Sequence, residues 1–230
     1  MALTVLVFGL VSFVLGSIPF GFLVGRKHGV DVTKSGSGNI GATNVLRVLG
    51  KAPAALVILL DISKGVFPVM LTRTWLSQEH SAQNALVGAS MVGFMAVAGH
   101  VFSPFLKFQG GKGVATGLGV VFASCPIAAL CCLGAFTIVM LTTRIVSLGS
   151  MLGCVTAIVT LFVTKQPLVM CVVLAAMGAL IIYRHSSNIR RLLRGQEPRI
   201  SSGSKHGNVV QDAQALVEEA DHGVRRTSHI

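Results

Sequence analysis

Apolar runs separated by short polar loops occupy most of the first 183 residues, at 3–24, 53–72, 85–106, 114–141, 146–163 and 168–183. Several approach the ~20 residues that an α-helix needs to cross the hydrocarbon core of a bilayer. The loops between them are basic: Arg26, Lys27 and Lys34 follow the first run, Lys51 precedes the second, Lys107 and Lys112 follow the third, Arg144 the fourth, and Arg184, Arg190, Arg191 and Arg194 the sixth. Only the loop with Glu79 and His80 has an acidic bias. No internal repeat is evident.

Topology follows from parity and the positive-inside rule. The N-terminus carries no basic residue before its apolar run, and Arg26 and Lys27 come after it, so the N-terminus is expected outside. A single crossing by 114–141 would leave Arg144 and the Arg-rich segment from Arg184 outside as well. A break near Cys125-Pro126, where proline ends a helix, returns both to the inside. The two pieces are then short for full crossings, and one is expected to be short or re-entrant, which is tolerated where it lines a protein cavity. The expected fold is an all-α membrane protein of about seven transmembrane helices, some short or broken, or five full spans plus a re-entrant pair, with Gly-rich cytoplasmic loops. The first run contains Ser17-Ile18-Pro19, no clear cleavage site, and is read as a retained span. Residues 1–200 are expected to form one integral membrane domain. Residues 201–230 are polar and mixed in charge, which predicts a mobile cytoplasmic tail with a short helix around 211–220.

Composition supports lipid as the solvent. Of 230 residues, 52% are hydrophobic and 12% charged, and mean hydropathy is +0.75; a soluble domain carries about twice that charged share. The 19 Lys and Arg outweigh 8 Asp and Glu, and only Asp31, Asp61 and Glu79 precede Arg184. The pI of 10.1 does not signal nucleic acid, because the cations are dispersed between apolar spans and the chain has one Tyr and one Trp. The five cysteines lie in apolar runs without metal-ligand spacing, so neither disulfides nor a metal are expected.

Three loops carry candidate chemistry. In Ser35-Gly36-Ser37-Gly38-Asn39-Ile40-Gly41-Ala42-Thr43-Asn44-Val45-Leu46-Arg47 the glycines predict a tight turn and a helix starting near Gly38. That helix would put Asn39, Thr43 and Arg47 on one stripe. Ser37 and free N–H groups at the helix start could hydrogen-bond an anion, and Arg47 could clamp phosphate oxygens. The competing reading is a helix-cap loop between spans. In the second, Gly110-Gly111-Lys112-Gly113, Gly110 and Gly111 would let backbone approach a ligand, with Lys112 at a helix start and Thr116 one turn on. It lacks Walker spacing, and alone would read as a turn. In the third, a continuing helix would align Arg184, Asn188 and Arg191, with His185 beside them; a basic helix end touching lipid head groups explains it equally. Asp61 and Lys64 form an i, i+3 pair inside the second run, costly there and hence a hint of function or of a structural ion pair. His100, at the end of the third run, reads as a hydrogen-bonded structural residue.

Together these residues resemble the acyl-phosphate-dependent glycerol-3-phosphate acyltransferases of bacteria, the PlsY family. The likeness rests on residues 37–47, 99–116 and 185–197, including Gly99, His100, Gly195 and Glu197, with Asp61, Lys64 and Gly65, in order along the chain. It implies a seven-helix inner-membrane enzyme without a protein partner, a cofactor or a metal. Such an enzyme moves an acyl chain from acyl phosphate to the 1-hydroxyl of glycerol 3-phosphate, giving lysophosphatidate and inorganic phosphate. On that likeness Ser37, Arg47 and Lys112 would hold substrate phosphate, with Asn39, Thr43, Asn44, Gly110, Gly111 and Thr116 around it. Lys112, His185 and Asn188 would act in the reaction, supported by Asp61, Lys64, His100 and Arg191. The residue chemistry is compatible: acyl phosphate is a mixed anhydride that needs no Ser or Cys nucleophile, and no His here has Asp five residues later. The alternative is a transporter of a phosphorylated solute, which would also use broken helices and basic half-helix ends.

Overall fold

The computed structural model describes residues 1–200, and among them every regular element is helical. The predicted tail and its short helix lie outside the described residues. The helices are α1 (Ala2–Ser17), α2 (Phe20–Lys27), α3 (Ala42–Leu49), α4 (Lys51–Leu76), α5 (Ala82–Val101), α6 (Val114–Ser124), α7 (Pro126–Thr143), α8 (Val146–Val163), α9 (Leu168–Tyr183) and α10 (Ser186–Leu193), with a 3-10 turn at Pro104–Leu106.

Proline punctuates this pattern twice. Pro126 opens α7 after an extended Cys125, so the 114–141 run divides where its sequence suggests. α6 is 11 residues long, about 16 Å at 1.5 Å per residue, roughly half the hydrocarbon core. The first run also breaks, at Ile18-Pro19, which its hydropathy alone conceals. Helices α4, α5, α7 and α8, and α1 joined to α2, are long and apolar enough to cross a membrane. α9 ends at Tyr183 and α10 leaves it at 57°, so the continuous helix expected there is bent. The helix expected from Gly38 begins at Ala42 instead. Gly36 and Gly38 hold φ of +61° and +71°, and Asn39 Oδ1 accepts the Gly41 N–H at 2.8 Å, delaying the first helical turn.

α5 is the most buried long helix and touches α1, α4, α6 and α9. Small residues allow its backbone to approach α1: a Cβ on Gly16 would meet the Ala96 carbonyl, and one on Gly99 the Phe13 carbonyl. Gly65 and Gly119 do the same between α4 and α6, against Thr116 and Ile62. α7 packs mainly on α8, touches α6 through its buried start at Ala128 and Ala129, and is the least buried of the long apolar helices. Leu3, Leu59, Leu130, Leu141 and Val163 face outward, each more than half exposed; with backbone bonds satisfied inside helices, only lipid suits such a surface. A second, smaller apolar cluster (Val24, Val32, Ile40, Val45, Ala54, Val57) holds α2 and α3 to the start of α4. All loops rich in Lys and Arg emerge at that end of the bundle, and the α4–α5 and α8–α9 turns at the other.

Candidate active site

Lys112 lies at the centre of this basic face, one residue before the Gly113 cap of α6. Its ammonium donates to Asn188 Oδ1. Burial lowers its pKa to about 8, opposed by Glu197 and reinforced by Arg191, Arg47 and Arg184. Three arginines from two parts of the chain therefore act on one half-buried lysine: Arg47 from α3, and Arg184 and Arg191 from the α9–α10 elbow. Such a concentration is unfavourable in an empty site and favourable for an anion.

The elbow is built from the Arg-rich segment. Asn188 donates to Glu197 Oε1 at 2.6 Å, Ser147 donates to the same oxygen at 2.7 Å, and Arg191 Nε donates to Glu197 Oε2 at 2.8 Å. Burial would raise the Glu197 pKa, but these bonds and the Arg191 charge hold it below the usual carboxylate value. The Ile200 N–H donates to the Arg144 carbonyl, which ties the segment after α10 to the α7–α8 turn. Arg184 turns the other way. Its guanidinium donates to the carbonyls of Gly110 (2.9 Å) and Gly111 (3.3 Å). His185 is 2% exposed and its Nδ1 lies 2.8 Å from the Ile181 carbonyl. That contact requires hydrogen on Nδ1 and leaves a lone pair on Nε2. Burial lowers its pKa to about 4, against the Ile181 bond, so the ring is neutral at ordinary pH.

Beneath the loop lies a buried group of three. Lys64 Nζ is 2.9 Å from Asp61 Oδ1, both side chains 4% exposed, and donates to the Ile18 carbonyl at 3.0 Å, an acceptor freed by the α1–α2 break. Its charge also sits 5.4 Å from the Phe20 ring centre. His100 Nδ1 stands 3.7 Å from the same Asp61 oxygen, without a hydrogen bond, unlike the structural histidine expected. The other side of its ring abuts Gly111, where any Cβ would collide with it.

Several expected roles change. The Gly110 and Gly111 N–H groups donate to the Val101 and His100 carbonyls at 3.1 Å, so the pair approaches α5 rather than presenting amides to a ligand. Asn44 is buried and fully engaged: its amide donates to the Val32 and Ser35 carbonyls, and its Oδ1 accepts the Ser37 N–H. It shapes the turn. Asn39 is off the helix and cannot join the stripe, which reduces to Thr43 and Arg47 on α3. Ser37 keeps an exposed side chain. Thr116 is fully buried at the α4–α6 crossing, away from the open face. Glu197, which the sequence brings in only through the resemblance and without a role, and Ser147 join the site through the hydrogen bonds of the elbow. Glu197 is the first acid after Glu79, amid Arg190, Arg191, Arg194 and Arg199, and that isolation was the available signal; Ser147 offered none.

Fold and site define an integral membrane protein of helices with a cluster of cations at one end of the bundle. The family model described as Glycerol-3-phosphate acyltransferase matches residues 6–195. Similar proteins include a glycerol-3-phosphate acyltransferase of Synechococcus elongatus, 46% identical over 87% of this chain and 96% of that protein, and glycerol-3-phosphate acyltransferase 1 of Deinococcus radiodurans, 43% identical over 87% and 98%. A crystal structure of PlsY (YgiH), an integral membrane glycerol 3-phosphate acyltransferase, in its glycerol 3-phosphate form, matches with a TM-score of 0.80 and 40% identity, covering 86% of this chain and 96% of that one. The lysphosphatidic acid form matches with a TM-score of 0.78. The chain belongs to the glycerol-3-phosphate acyltransferase family, of PlsY type.

Proposed function

We propose that this protein transfers a fatty acyl group from acyl phosphate to the 1-hydroxyl of sn-glycerol 3-phosphate, releasing lysophosphatidate and inorganic phosphate at the cytoplasmic face of a bacterial inner membrane. The observation that carries this reading is the ring of Arg47, Arg184 and Arg191 around Lys112. Both substrates and both products carry phosphate, so each stage of the reaction offers that ring a dianion or its near equivalent. Lys112, Arg47 and Ser37 hold substrate phosphate, with Thr43 beside Arg47 on α3. Asn188, oriented by Glu197, fixes the Lys112 ammonium, and the Asp61–Lys64–His100 group supports the loop from below. The unit 1–200 suffices for this chemistry, without a cofactor, metal or protein partner, and the tail is an addition to it.

Acyl phosphate supplies its own leaving group. The glycerol hydroxyl attacks the acyl carbon, the acyl–oxygen bond of the anhydride breaks, and phosphate departs into the cationic ring. Positioning and charge stabilisation provide the acceleration. The hydroxyl proton passes to the phosphate of glycerol 3-phosphate. A phosphate monoester with a second pKa of about 6 is the stronger base beside a histidine held to about 4. The test is phosphate release by the purified protein. Release should require both acyl phosphate and glycerol 3-phosphate, and Lys112→Ala should lower kcat/KM by about 100-fold or more, the loss of a desolvated charge-assisted contact. Undiminished turnover in that variant would sink the phosphate-site assignment; binding of both solutes without turnover would sink acyl transfer.

A further inference from the structure

Between α5 and the Gly110–Gly111 loop, the chain presents large apolar rings where it leaves the bundle. Phe105 and Phe108 are each 62% exposed and Phe102 39%, with Lys107 exposed between the outer two. Rings of this size are strongly disfavoured in water. The segment is held in place. Ser103 Oγ donates to the Ser17 carbonyl at 2.6 Å, and the Ser103 carbonyl accepts the Leu106 and Phe108 N–H groups at 3.1 and 2.8 Å. Leu106 packs into the apolar cluster beneath α3. Lys107 and Phe108 are fixed at φ of +52° and +62°, a region costly for a bulky side chain. The left-handed pair closes the turn onto the Ser103 carbonyl and at the same time holds the Phe108 ring outward, a strained conformation that points to a constraint beyond packing.

We propose that residues 102–109 form an interfacial anchor: the Phe rings enter the boundary between head groups and acyl chains of an anionic bilayer, and Lys107 meets lipid phosphate. Aromatic rings favour that boundary, and lysine stems reach from it toward phosphate. The same end of the bundle carries Arg26, Lys27, Lys34 and Lys51, which complements anionic lipid. The Gly110 N–H to Val101 carbonyl bond joins the end of this segment to α5 just before Lys112. The anchor therefore sets the height of Lys112 in the head-group plane, where a donor with a phosphate head and a long acyl chain lies.

Phe105→Trp and Phe108→Trp, each in a Trp75→Phe background, test the placement in nanodiscs of phosphatidylethanolamine and phosphatidylglycerol. Blue-shifted emission, quenched by lipids brominated high on the acyl chain and little affected by aqueous iodide, is expected. Water-like emission quenched by iodide alone overturns the anchor, and this readout does not depend on acyl transfer. A second measurement rests on the proposed reaction: in bilayers, Phe105→Asp/Phe108→Asp should raise KM for a long-chain acyl phosphate about tenfold, the loss of roughly one ring's burial. KM for glycerol 3-phosphate should stay unchanged, and Phe105→Leu/Phe108→Leu should restore the donor KM. An unmoved donor KM overturns the role in donor presentation.

Discussion

Lys112 carries its charge under protest: burial and three arginines favour losing the proton, and only Glu197 favours keeping it. With a pKa of about 8, the cation is intact below that pH and lost as pH rises through it. KM for glycerol 3-phosphate is therefore expected to climb above about pH 8. Bound phosphate raises the lysine pKa, so the fall in kcat should come at higher pH. Steady-state kinetics between about pH 6 and pH 9 check this, and Lys112→Arg, whose charge persists throughout, should flatten the KM profile. His185 makes the opposite case. Its pKa of about 4 keeps it neutral across that range, and its Nδ1 is committed to Ile181. If the substrate's phosphate is the base, His185→Ala should keep kcat within a few-fold, whereas loss of a general base costs about 100-fold or more. A turnover number reduced to that extent would assign the proton to His185.

At the level of elements, the site depends on helices that stop early. The α1–α2 break frees the Ile18 carbonyl for Lys64, short α6 sets Lys112 at its head, and the α9–α10 bend directs Arg184 and Asn188 toward the same loop from different sides. α4 carries the most exposed risk, because Asp61 and Lys64 are buried with each other for company. Removing one partner of a buried pair leaves an uncompensated charge, at a cost of about 3–5 kcal/mol. Asp61→Asn is thus expected to lower the unfolding midpoint sharply in detergent. Asp61→Leu/Lys64→Met should recover most of the lost stability while leaving His100 and the loop above it without their support, so activity should stay low. Legibility at this scale was uneven. Pro126 announced its break through proline and charge parity. The Pro19 break lay inside a uniformly apolar run, and the α9–α10 bend has no residue that forces it; it is held by Asn188, Arg191 and Ser147 converging on Glu197.

Across the whole molecule, charge separates the two ends. Arg26, Lys34, Arg47, Lys112, Arg144 and Arg184 emerge together, and Arg73, Glu79 and Lys165 at the opposite end. The positive-inside rule is the basis of the proposed orientation, with the basic face toward the cytoplasm. In a cysteine-free background, Ser77→Cys should react with a membrane-impermeant maleimide added outside intact spheroplasts, and Ser186→Cys only after permeabilisation. The reverse pattern would invert the proposed orientation. The separation also explains why membrane insertion, fold class and the basic face could be read early, since each depends on sums over many residues.

The apolar runs, their charge parity and the ordered motifs were enough to specify a helical membrane protein and its family, and to point to the candidate loops. They could not specify what each polar atom in those loops does. Asn44, Gly110 and Gly111 have the right chemistry for phosphate, yet their donors serve the turn and the end of α5. Glu197, a lone acid in a basic stretch, becomes the hub joining α8 to α10. A hydrogen bond is short-ranged and directional, so its partner is chosen by where the folded backbone brings two atoms together. Hydrophobic burial and net charge are non-directional, and a linear sequence records them without the fold.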